Sequence, residues 1–226
     1  MKTLQARTVE HELLDAVTLD PAELRRNLRE MAMLNRLPGG VRASLAAIRR
    51  LLPPVGGEVA DIGTGGGDLP RRLLAELTGV RVMASDVRTE VLELARAWTT
   101  ADARLSLHLA DARALPYVDA GVDVAHCSLV LHHLDPDDAL AALREMRRVS
   151  RRGVVVNDLR RGVVPFAVTA ATVLGLARGR YTRHDGLLSA RRAYTLPELD
   201  ALAAEAGLRV AWRSPTFLPR VVTAYR

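Results

Sequence analysis

The chain has 226 residues, which suits one α/β domain with additions, and its 49% apolar content allows a sizeable core. A charged fraction of 26% is ordinary for a folded domain, while aromatics at 4% leave Ala, Leu and Val to fill most of the interior. The net charge of +6 comes from arginines scattered in pairs, such as Arg25-Arg26 and Arg147-Arg148, which read as solvated helix faces rather than a phosphate-binding stripe.

Cys127 is the only cysteine, which excludes an intrachain disulfide and a cysteine-rich zinc site and fits a reducing cytoplasm, the expected location. The first eight residues lack the apolar core of a leader peptide. Asp20-Pro21 is an N-cap followed by proline at the first helical position, and Leu24, Leu28, Met31 and Leu34 then recur at helical spacing. Pro38-Gly39-Gly40 breaks the pattern. Val41, Leu45, Ile48 and Leu51 begin a second helix, which Pro53-Pro54 ends.

Strand and helix signals then alternate. Strands are expected over 58–62, 80–85, 105–109, 122–129 and 153–156. Helices are expected over 69–77, 89–98 and 136–149, the last capped by Asp135. This rhythm predicts a parallel sheet with helices on both faces. Residues 163–177 are expected to be helical and are too short to span a bilayer, which takes about 20 apolar residues. Residues 178–194 read as an arginine-rich loop. Thr195 and Glu198 form a capping box for a helix that Gly207 stops. Segments 208–213 and 221–225 read as an antiparallel strand pair on the sheet edge.

The strongest motif is Val59-Ala60-Asp61-Ile62-Gly63-Thr64-Gly65-Gly66-Gly67-Asp68, a strand running through a glycine turn into a helix. Glycines let a ligand approach the backbone closely. Gly63 and Gly65 fit a dinucleotide fingerprint, but Asp68 stands where its third glycine belongs. An acid there opposes a pyrophosphate and suits an ammonium or sulfonium, and Asp61 points the same way. Asp86 ends the next strand, where a carboxylate can accept hydrogen bonds from a ribose diol or simply cap a helix. Ala110-Asp111-Ala112 follows the third strand. The fourth strand runs from Val122 through Cys127 and Ser128 into Leu131-His132-His133-Leu134.

With these features in this order, the sequence resembles the class I S-adenosyl-L-methionine (SAM)-dependent methyltransferases that act on small molecules and quinones. The resemblance covers residues 55–160 well and the tail in general plan. It implies a Rossmann-like α/β fold with a seven-stranded, mostly parallel sheet, helices on both faces and an added N-terminal helical segment. It also implies a single domain, with 1–54 as helical cap, 55–160 as SAM-binding core and 161–226 as substrate lid and sheet edge. By the same resemblance, SAM is the cofactor, with Asp61, Gly63, Thr64, Gly65 and Gly67 around its methionine part. Asp86 is expected on the ribose hydroxyls, Val87 against adenine, Asp111 and Ala112 at the adenine edge, and Cys127 and Ser128 near the methyl group.

An oxygen acceptor such as a phenol has a pKa near 10 and benefits from a general base. His132 and His133 are the first candidates; the alternative is that they orient their loop or cap the helix at Asp135. His184 is another, in a loop that can close the pocket or lie in solvent. Asp158 and Arg160, past the fifth strand, are candidates to bind a substrate hydroxyl and an anionic group, or to form a solvated turn. Phe166 and the apolar run 163–177 offer an oily wall opposite Met31, Met33 and Leu34; plain core packing is the alternative. The expected acceptor is a lipophilic phenol, quinol or polyketide-like metabolite. Metal-dependent catechol methyltransferases use an Asp-Asn pair after the fifth strand and an acid after the fourth. Here the pair is reversed and Cys127 replaces the acid, so no metal site is expected.

A nucleic-acid substrate is disfavoured: no Asn/Asp-Pro-Pro-Tyr/Phe run follows the fourth strand, no proline precedes Cys127, and no basic segment is rich in aromatics. C-methylation of a quinone precursor and a non-catalytic SAM-binding protein remain alternatives. Association with a membrane surface and a homodimer are further expectations.

Overall fold

The computed structural model describes residues 6–16, 18–37, 39–99, 101–215 and 219–226, so Pro38 and the first five residues lie outside the described part. Helix α1 (Pro21–Leu34) opens where Asp20 accepts from the amides of Ala22 (2.8 Å) and Glu23 (3.3 Å). Helix α2 (Val41–Leu51) buries Ser44, Leu45, Ala47, Ile48 and Leu51, one stripe at helical spacing. Then come β1 (Gly57–Ile62), α3 (Asp68–Glu76), β2 (Val80–Asp86), α4 (Thr89–Trp98), β3 (Leu105–Leu109), β4 (Val122–Ser128), α5 (Pro136–Val149) and β5 (Ser150–Leu159). The tail holds α6 (Val163–Leu176), α7 (Arg180–Arg192), α8 (Leu196–Glu205), β6 (Val210–Arg213) and β7 (Arg220–Tyr225).

The seven strands form one sheet in the order β3-β2-β1-β4-β5-β7-β6. Only β7 runs against its neighbours β5 and β6; the other pairings are parallel. The chain reverses strand order between β1 and β4, so the crevice for a ligand opens past the carboxyl ends of β1, β4 and β2. One core layer packs α5 and α8 on the sheet through Leu143, Met146 and Ala203, and the opposite layer packs α2 and α3 through Ile48, Leu69 and Leu73. Both sheet edges are modest: β3 is only partly buried, and β6 has four residues.

The capping box at α8 is present, with Thr195 and Glu198 each satisfying the other's backbone amide. The cap of α5 differs from expectation. Asp135 makes no side-chain bond to that helix; its carboxylate pairs with Arg7 at 3.1 Å, and Pro136, Asp137 and Asp138 supply the favourable first turn. Residues 178–194 are a second correction, because most of them form α7 rather than a loop. The helix lacks the usual apolar signature because most of its buried face is polar. Thr182, Asp185, Ser189 and Arg192 are buried beside Leu188 and Ala190. Asp185 accepts from the amides of Leu13 (2.8 Å) and Leu14 (3.0 Å), and Ser189 donates to Glu12 at 2.8 Å. These bonds fasten the segment around the 3-10 turn Leu13–Asp15 across the mouth of the crevice. No helix among the described residues is long and apolar enough to cross a membrane.

Candidate active site

Past the carboxyl ends of β1, β2 and β4 lies a cavity of about 770 Å³, walled by α1, α6, α7 and the residue 12–15 segment. Its floor begins at the glycine turn. Gly63 and Gly65 hold φ of +69° and +54°, the left-handed region that side-chain-bearing residues resist. A Cβ at Gly63 would stand 2.4 Å from Val130 Cγ2, so this position requires glycine twice over. The turn is tied down at both ends: Thr64 N–H donates to Ser85 O (2.8 Å), and Gly65 N–H donates to Asp86 Oδ2 (3.1 Å). Asp86 also accepts from Arg88 N (3.2 Å). Burial pushes its carboxyl above the ordinary range, against those backbone donors.

Under the turn runs a chain of buried polar groups. Thr64 Oγ1 donates to Asp61 Oδ2 (2.8 Å), and Asp61 Oδ1 meets His126 Nδ1 (2.7 Å). His126 Nε2 meets Ser44 Oγ (2.9 Å), which accepts from Asn157 Nδ2 (2.8 Å). Asn157 Oδ1 accepts from Arg220 Nε (3.1 Å). The network links α2 to the ends of β1, β4, β5 and β7, so every buried polar side chain in it has a partner. Asp68 is held by Arg71 and by Asn35 Nδ2 at 3.2 Å.

The second half of the site follows β4. Leu129 adopts φ +58°, an uncommon conformation for a branched residue, and its amide donates to Asn157 O (2.9 Å). The chain then forms the 3-10 turn Leu131–His133. His132 is buried, with Nδ1 2.6 Å from Asp158 Oδ1 and Nε2 3.9 Å from Glu12 Oε1. Burial would raise the Asp158 carboxyl, but the charge and hydrogen bond of His132 outweigh it and hold it below the usual range. Glu12 goes the other way, raised because burial dominates over His133 and Ser189. His133 Nδ1 stands 3.3 Å from Asp15 Oδ1. The turn's carbonyls are clamped from outside: Arg7 donates to His132 O (2.7 Å) and Leu134 O (2.6 Å), and Arg192 to His133 O (2.7 Å).

Of the residues the sequence pointed to, Asp61, Gly63, Thr64, Gly65, Asp86, Val87, Asp111, Ala112, Ser128, His132 and His133 all border this cavity. The others do not. Cys127 points into the α5 face of the core, where burial pushes its thiol well up. Gly67 sits behind the turn as the left-handed cap of α3, close to Thr99. Asp158 lies behind His132 and is spent on it and on the Leu159 amide (2.7 Å). Arg160 and Phe166 stand outside the lining, because α6 presents Val168, Thr169, Thr172 and Val173 instead. His184 lies on a helix, 52% exposed, bonded to Asp185 at 2.8 Å. Met31 and Leu34 line the cavity, whereas Met33 is exposed. Glu12, Asp15, Asn27 and Arg220 line it too, and no sequence signal marked them; they come from segments without a motif and meet only in the fold.

One group of described residues bears on the expectation of no metal site. Glu12, His132 and His133 offer ligand atoms within 4.8 Å of one another. That set suits an imidazole-binding ion better than magnesium, which prefers oxygen ligands.

Residues 59–153 match a family model described as a methyltransferase domain. No curated protein matches the chain. Among solved structures, human N-acetylserotonin methyltransferase in complex with SAM is 17% identical at a TM-score of 0.70, over 96% of this chain and 59% of that one. A SAM-dependent methyltransferase from Aquifex aeolicus is 17% identical at 0.62, over 92% and 98%. CalO1, a methyltransferase in calicheamicin biosynthesis solved with S-adenosylhomocysteine, is 23% identical at 0.60, over 81% and 52%. Domain match and fold agree: residues 59–153 carry a methyltransferase domain, and the chain shares the fold of solved SAM-dependent methyltransferases.

Proposed function

We propose that this enzyme transfers the methyl group of SAM to a hydroxyl of a small, largely apolar acceptor such as a phenol, quinol or polyketide-like metabolite. The observation that carries the reading is one continuous cavity joining the glycine turn to an apolar vault, with the His132–Asp158 pair between them. The floor residues fit SAM. At Gly65 a Cβ would meet only Leu28, at 3.8 Å, so the turn lies open to a ligand. Asp86 keeps lone pairs beyond its two backbone bonds for a ribose diol, and exposed Val87 offers an apolar face for adenine. Asp61 and Asp68 supply the negative surroundings that a sulfonium and an ammonium favour. Asp111 is held by Arg113 through both carboxylate oxygens, with Nη2 to Oδ2 at 2.6 Å and the backbone amide to Oδ1 at 2.9 Å, and with Ala112 it lines the part of the cavity read as taking the adenine edge.

SAM, when bound, supplies both the methyl group and a neutral thioether leaving group. The protein's part is positioning, desolvation and handling one proton. In this reading the Asp158 carboxylate orients the His132 ring by accepting from Nδ1, and Nε2, which stands 3.9 Å from Glu12 Oε1 among the cavity-lining residues, serves as the base. It takes the acceptor's hydroxyl proton as oxygen attacks, and Asp158 stabilises the imidazolium that results. Such a base contributes about 10²–10⁴ in rate. Leu14, Met31, Leu34, Val168 and Val173 supply an apolar acceptor wall. Under this reading residues 1–54 and 161–226 build the acceptor vault over a cofactor core at 55–160. Exposed Val163, Val164, Leu174 and Leu176 on α6 support association with a membrane surface or a second copy.

The test is a screen of phenols, quinols and polyketide-like hydroxyl compounds for S-adenosylhomocysteine release and a mass gain of one methyl group. Methylation of a polar acceptor, with none among the lipophilic ones, would sink the reading.

A further inference from the structure

Three arginines are buried among the described residues: Arg161, Arg192 and Arg220. Two have a carboxylate. Arg161 pairs with Glu198 at 2.5 Å and Arg192 with Asp15 at 2.6 Å. Arg220 has none. It begins β7 opposite Leu159, and its side chain reaches over the ends of β5 and β4. Nε donates to Asn157 Oδ1 (3.1 Å), Nη1 to Asn35 Oδ1 (2.7 Å) and Nη2 to Ser128 Oγ (2.8 Å). All three acceptors are neutral. The residue is 9% exposed and borders the cavity. The acids around it are committed elsewhere: Asp158 to His132, Asp61 to Thr64 and His126, and Asp68 to Arg71 and Asn35.

A buried guanidinium without a counter-ion is costly, and a fold keeps one where an anion arrives to meet it. Burial depresses its pKa to about 10, which still leaves it charged at neutral pH. Its three bonds use three of five donors, so two remain. Of the other arginines lining the cavity, Arg113 is paired with Asp111 and Asp138, and Arg88, only half-buried, donates to Leu14 O and Ala16 O and leaves Nε without a partner.

We propose that Arg220 is a carboxylate-binding residue of this cavity, a reading that rests on the cavity being the methyl-transfer site. A monoanion balances the single unpaired charge, whereas a phosphate dianion would leave excess negative charge beside Asp61 and Asp68. The planar fork suits a carboxylate. Two ligands bring one: the amino-acid end of the cofactor, or an acidic acceptor.

Calorimetry on the wild type and Arg220→Met separates these sources. Two ligand pairs are used: S-adenosylhomocysteine against 5′-methylthioadenosine, which lacks the amino-acid end, and 4-hydroxybenzoate against 4-hydroxybenzamide. The expected result is a loss of about tenfold or more for one carboxylate, with its uncharged counterpart nearly unchanged. Loss in the first pair assigns Arg220 to the cofactor, and loss in the second to the acceptor. Equal losses for charged and uncharged members, or no loss, would overturn the proposal. Wild type that binds neither nucleoside refutes the cofactor reading, while the benzoate pair still decides Arg220. Arg220→Gln, which keeps a donor without the charge, is the second variant should the methionine form not fold, with the same expected and overturning results.

Discussion

His132 Nδ1 lies 2.6 Å from Asp158 Oδ1, although the two residues are 26 positions apart and sit on different elements. The Asp158 carboxylate also accepts from the backbone amide of His132 (3.3 Å), so it fixes both the ring and the turn that carries it. Replacing His132 by Gln removes the proposed base and leaves the glycine turn untouched. The expected outcome is a kcat about 10²–10⁴-fold lower with S-adenosylhomocysteine affinity nearly unchanged. Asp158→Asn should lower kcat through the wrong tautomer and shift the acid limb of the pH–rate profile. A profile identical to wild type would leave Asp158 a merely structural residue.

Asp86 joins the glycine turn to β2 through its bond to Gly65 N. Asp86→Ala is expected to weaken S-adenosylhomocysteine by about tenfold or more, since it removes the proposed ribose acceptors and a tether of the turn together. Calorimetry checks the affinity. A melting temperature close to wild type would place the loss in ligand contacts rather than in folding.

The parallel core and its glycine turn were legible in the sequence because each strand and helix there carries its own periodicity and the turn its own glycines. The residues that line the glycine-turn end of the cavity followed from them, apart from Gly67 and Cys127, which lie off it. The acceptor half did not. Glu12, Asp15 and Asn27 reach the cavity from segments without a motif, and α7 carries no apolar stripe to announce a helix because Thr182, Asp185 and Ser189 occupy its buried face. Asp158 was expected to touch substrate. The alternation of β5 explains its place behind His132: Asn157 faces the α2 side, bonded to Ser44, and Asp158 faces the opposite side.

Gly63→Ala places a Cβ 2.4 Å from Val130 Cγ2 at φ +69°. Backbone strain alone is worth about 1–3 kcal/mol, and displacement of Val130 adds to it. The variant should melt several degrees below wild type and lose cofactor affinity. Gly65→Ala, with open space around it, should lose less stability. Thermal melts of the two variants, compared directly, test the difference.

The buried acids set opposite pH dependences. Asp158 is held below its ordinary 3.8, so the unfolded chain binds its proton more readily; the stability it contributes is present above 3.8 and is lost as pH falls through the folded value. Asp15 behaves likewise: burial acts against it, but His133, the Glu12 amide and Arg192 together hold it low. Glu12 is raised above 4.5 by burial, so its contribution is full below 4.5 and is lost as pH rises through the folded value. Acid should therefore destabilise wild type more steeply than Asp158→Asn, whereas Glu12→Gln should gain in melting temperature relative to wild type from about pH 4 to about pH 7. Melting curves from about pH 2 to about pH 7 check both slopes, and a Glu12→Gln difference that stays flat with pH would mean that Glu12 does not carry its charge at a cost in the folded protein.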